Sequence, residues 1–86
     1  MIKVRTAEDI YPAIKELVTF LKNNKYEHTA NILEHRMYKV SWTSRTELFE
    51  ELSLVLRQFL KTDGGKLETF ITKQINQILS ILETNC

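Results

Sequence analysis

The sequence predicts an all-α protein, a small antiparallel up-down-up-down bundle of four short helices. Three observations lead there. Proline and glycine number only one and two in 86 residues, fewer than the turns of a β-rich chain require. Apolar residues recur at spacings of three and four, the signature of amphipathic helices. The breaks between these periodic segments are short, which makes consecutive helices pack antiparallel. At this length folding removes roughly 60 to 65% of the extended chain's surface from water, and dividing the chain would leave neither part a core. Residues 1–86 are therefore read as one helical-bundle domain.

Met1 to Arg5 alternates apolar and basic residues, with Ile2 and Val4 on one side, and reads as a short extended arm. The first helix is expected over 10–23, with Asp9 as its cap, because that start places Pro12 in the first turn, where its missing donor costs nothing. Ile10, Ile14, Leu17, Val18 and Leu21 then share one face. The second helix is expected over 25–39. Asn24 and Glu27 form a capping box at its start, and Tyr26, Ala30, Leu33 and Met37 form its stripe. Val40 to Thr43 continues a helix poorly, having two β-branched residues and two hydroxyls.

The third helix is expected over 45–62. Ser44 and Glu47 make its capping box, and Glu47, Glu50 and Glu51 complement the positive end of its dipole. Leu48, Leu52, Val55 and Phe59 form one row and Phe49, Leu56 and Leu60 the next, so this helix is placed at the centre of the core. Asp63, Gly64 and Gly65 end it, glycine being suited to the left-handed conformation common past a helix terminus. The fourth helix is expected over 66–84, burying Leu67, Phe70, Ile71, Ile75, Ile78, Leu79 and Leu82. A three-helix core with the first helix loosely attached is the variant.

Composition narrows function by exclusion. With 43% hydrophobic and 27% charged residues the chain is too apolar for disorder. Twelve basic residues against eleven acidic give a net charge of +1, which supplies no bulk field for nucleic acid or anionic lipid. The longest apolar run, Leu54 to Leu56, is three residues. That is far short of a membrane span or a secretory core, so no membrane partner and a cytoplasmic location are expected. Cys86 is the sole cysteine, so no internal disulfide and no thiolate metal framework can form.

No motif carries catalysis, a metal or a cofactor, and none of these is expected. His28 and His35 lie two turns apart on one helix face, about 10 Å at 1.5 Å per residue, too far for two ligands of one ion. Asp63-Gly64-Gly65-Lys66 superficially suggests a phosphate loop but lacks the spacing, the preceding strand and the following hydroxyl. The glutamates at 47, 50 and 51 read as dipole compensation before they read as an acid–base pair. There is no nucleophile elbow.

The segment the bundle leaves unexplained is the connector around Trp42. Tyr26, Arg36, Tyr38, Lys39, Trp42 and Arg45 gather the residue types in which interface energy concentrates, and they are the candidate partner-binding residues. The competing reading folds Trp42 back over the bundle end, near Leu48. Function is accordingly expected to be non-catalytic protein–protein interaction, with another protein or a second copy of the chain as partner. Adaptor, inhibitor and bacterial immunity-like roles all fit this class. The alternative is a small nucleic-acid-binding regulator using the basic residues of helix two and the 40–45 connector. Glutamates at the start of its recognition helix oppose that reading.

Overall fold

Thr6 and Asp9 open the helical path together. A computed structural model of the chain describes residues 3–84, and in it Thr6 is extended at φ −130° and ψ 169°. Asp9 sits three residues on, inside a 3₁₀ turn spanning Ala7–Asp9, and its carboxylate accepts from the amides of Arg5 at 2.9 Å and Thr6 at 3.1 Å. The carboxylate therefore reaches backward. Asp9 does stand at the N-cap position of the first α-helix, as the sequence predicts, but its own φ and ψ are helical and its side chain makes no bond to the first-turn amides. The 3₁₀ turn resolves the conflict with Pro12 by admitting an earlier start without asking the proline for a bond.

Helix α1 spans Ile10–Asn23, α2 spans Glu27–Glu34 and continues into one π-helical turn over His35–Lys39, α3 spans Arg45–Asp63 and α4 spans Thr69–Thr84. No strand occurs among the described residues. Four helices in this order make an all-α bundle, as the periodicity predicts. Its apolar faces meet in a single cluster in which Ile14, Leu17, Leu33, Phe49, Leu52, Leu56, Ile75 and Ile78 are fully buried. Five residues of α1 (Ile10, Ala13, Ile14, Leu17 and Leu21) have no exposure at all, so the first helix is integral to the core. A radius of gyration of 11.8 Å matches the about 12 Å of a folded chain this long.

The helices pair as two hairpins. Lys22 of α1 bonds Glu34 of α2 at 2.6 Å, and Arg57 of α3 holds Glu83 of α4 through two guanidinium bonds. Between the hairpins, Tyr26 packs edge-on against Phe59 with ring centroids 5.3 Å apart, and Arg36 meets Glu51 at 3.4 Å. Position along α2 therefore runs opposite to position along α3.

Several boundaries differ from expectation for physical reasons. The Asn24 side chain donates back to the Phe20 carbonyl at 2.8 Å, so it closes α1 and does not open α2. Lys25 takes the left-handed conformation at φ 69°, and the Tyr26 amide donates to the Leu21 carbonyl at 2.8 Å. This six-to-one bond is the Schellman closure, built on a lysine where glycine is usual. Its geometry delays α2 to Glu27. The glycines, in contrast, use no positive φ. Gly64 is right-handed at φ −57° and, with Gly65 and Lys66, makes a 3₁₀ turn. Leu67 is then extended, which moves the start of α4 from 66 to Thr69. Ser44 caps α3 as expected, its hydroxyl accepting from the Glu47 amide at 3.4 Å.

Phe70 was expected in the core and is 52% exposed, its ring edge-on to Phe20 at 6.4 Å. It occupies the second position of the shortened α4, where the stripe has not yet turned inward. Lys3 to Arg5 has no regular structure, although Val4 is buried against the bundle. The rest of the expected arm, Met1 and Ile2, lies outside the described residues, as does Cys86. Among the described residues no helix is long and apolar enough to cross a membrane.

Candidate functional site

The α2 C-terminus is where sequence and geometry concentrate unusual features. A helix end leaves its last carbonyls without intrahelical donors. Here the helix widens into the π turn of His35–Lys39 and then leaves through Val40, extended at φ −112° and ψ 133°. Trp42 folds back and donates its indole N–H to the Arg36 carbonyl at 2.6 Å, while its ring packs half-buried against the core. The connector is thus fastened to the turn it follows. π turns are rare and frequently mark functional sites.

The six candidate residues do not form one surface. Tyr26 sits at the opposite end of α2, ten residues or about 15 Å along the helix from Arg36, with its ring against Phe59. Arg36 is held by Glu51 and by a 2.9 Å contact to Nδ1 of His35. Arg45 lies 5.6 Å over the Phe49 ring and 3.4 Å from the Glu8 carboxylate. Tyr38 and Lys39 alone of the six present exposed side chains without such anchoring, Tyr38 at 58% exposure. Tyr38 overlooks two shallow surface clefts, one with Asn31, His35 and Lys39, the other with Lys15, Thr19 and Lys22 of α1.

The histidines part company. His28 lines a groove between α2 and α3, and His35 lines a separate cleft together with Tyr38. No group of three or more metal-capable side chains gathers among the described residues. No protein-family model matches the chain, nor does any curated protein or solved structure.

A second surface was passed over by sequence reasoning. The α2–α3 groove, about 440 Å³, has Ile32, Val55 and Phe59 among its apolar lining and Arg36, Glu51 and Gln58 among its polar residues. Leu54 stands on its lip at 63% exposure. On the other side of Leu54 a cleft toward α4 is lined by Glu50, Ser53, Arg57 and Glu83. The signal was present in the sequence. Leu54 belongs to neither apolar row of α3 and falls on its polar face.

Proposed function

We propose that the protein is a non-catalytic protein–protein interaction module. The carrying observation is the placement of large apolar side chains outside a core that is already closed. Leu54, Tyr38 and Phe70 are each more than half exposed, on α3, on the π turn and on α4, although α3 and α4 bury their opposite faces. Single exposed apolar residues are ordinary; a leucine at the meeting of two clefts favours recognition. An adaptor or inhibitor role needs a stable scaffold and such a surface, and nothing further.

The nucleic-acid reading finds less support. Arg36 and Arg45, two of the basic residues that reading relies on, are each paired with a glutamate, which weakens their pull on phosphate.

Affinity capture from the producing cells tests the proposal, with wild-type chain compared with Leu54→Glu, Tyr38→Ser and Phe70→Ser. All three sites are exposed, so the variants are expected to remain folded. A partner lost by at least one folded variant is the expected result. Equal capture by all of them, or salt-sensitive retention on DNA or RNA as the sole interaction, overturns it.

A further inference from the structure

Helix α3 buries one face and leaves one leucine unexplained on the other. Leu52 and Leu56 are fully buried, whereas Leu54, turned to the opposite side, is 63% exposed. The charges about it are ordered. Glu50 and Glu47 stand four and seven residues before Leu54 on the outward stripe, and Arg57 and Lys61 stand three and seven after it. Glu47, Glu50 and Lys61 are exposed, and none has an ion-pair partner among the described residues. The two halves of the stripe thus mirror each other in position and oppose each other in sign.

Resting on the interaction reading above, we propose that α3 is the interface of a two-fold homodimer, two copies crossing antiparallel with Leu54 at the axis. Such an axis lies between the helices, reverses position along them and keeps each flank on its own side. Glu47 of one copy then faces Lys61 of the other. Glu50 and Arg57 both line the cleft toward α4, so they face each other across the axis. Symmetry repeats each pair. Arg57 already holds Glu83, but its side chain remains 59% exposed and a guanidinium has donors to spare. Ser53, 7% exposed and with no partner for its hydroxyl among the described residues, lies in that same cleft.

Charge pattern selects the occupant. A uniformly acidic partner is repelled by the first half of α3 and a uniformly basic one by the second. A parallel copy sets glutamate against glutamate. An antiparallel copy satisfies both halves at once, with the leucines meeting in the middle.

Sedimentation equilibrium of the wild-type chain, diluted from millimolar concentration, reads the association, which is expected to weaken with added salt. Two charge variants make the test specific: Glu47→Lys with Glu50→Lys, and Arg57→Glu with Lys61→Glu. Each alone is expected to dimerise at least about tenfold more weakly than wild type. Mixed in equal amounts they are expected to regain the dimer, because the unlike pair restores every contact. An unfolded variant has no route to such recovery, and circular dichroism checks each one.

A wild-type chain monomeric throughout, variants that dimerise like wild type, or a mixture no tighter than its components overturns the homodimer. If the monomeric chain still captures a partner that Leu54→Glu loses, the homodimer falls and the interaction reading stands. If capture is also indifferent to Leu54→Glu, Tyr38→Ser and Phe70→Ser, both fall.

Discussion

Two residues near the ends of α1 carry local strain and local charge that experiment can isolate. Lys25 closes α1 at φ 69°, a conformation that costs a side-chain-bearing residue roughly 1–2 kcal/mol and glycine far less. Lys25→Gly is expected to raise stability by about 1 kcal/mol, read as a higher urea midpoint at unchanged slope. Asp9 works through hydrogen bonds. The Arg5 amide first, then the Thr6 amide, holds its carboxyl below the ordinary 3.8. A carboxyl whose folded pKa is depressed contributes stability that is fully present above its unfolded value and is lost as pH falls through the folded one. Melting curves of wild type and Asp9→Asn should therefore differ at neutral pH and converge under acid, below 3.8. A difference that persists unchanged into strong acid contradicts the assignment.

Among the elements, the two turns exchange the roles that composition suggests. The Gly64–Gly65 turn needs no left-handed residue. A methyl group on Gly65 meets nothing within 4 Å, so Gly65→Ala is expected to stabilise by about 0.4–1 kcal/mol through the unfolded chain. Destabilisation would place a left-handed conformation there after all. At the other connection, Trp42→Phe keeps an aromatic ring, smaller than the indole, and removes the donor to the Arg36 carbonyl, an expected loss of at least about 1 kcal/mol by thermal denaturation. Faster amide exchange confined to His35–Lys39 is its expected local signature. The helices themselves were legible because apolar spacing of three and four survives any detail of packing, and the Ser44 cap because it is local. The π turn left no such trace: Arg36 to Lys39 has ordinary helix formers, and the widening is tied to Trp42, a bond between residues six apart. Asn24 misled because an amide side chain serves a helix end as well as a helix start, and the Phe20 carbonyl won it.

For the whole molecule, two hairpins close one core and leave charge unevenly spread over the surface. Most cations of the middle segment are spent within the fold on Glu8, Glu34 and Glu51, while Glu47, Glu50 and Lys61 on the outward stripe of α3 have no ion pair among the described residues. The candidate site was half legible for this reason. Residue types named Tyr38 and Lys39, but Tyr26 and Trp42 are drawn into packing by long-range contacts with Phe59 and with the core. Leu54 was visible as an apolar residue on a polar face, and the clefts beside it arise only when α2 and α4 flank α3. The central claim is that self-association is carried by the outward face of α3. Its most direct measurement is the amide spectrum of nitrogen-labelled protein across a dilution series from millimolar concentration. The account predicts shifts that grow with concentration and map to Glu47–Lys61, with α2 residues at the groove lip following. A spectrum that does not change, or changes centred on α1 and the outer face of α4, would contradict it.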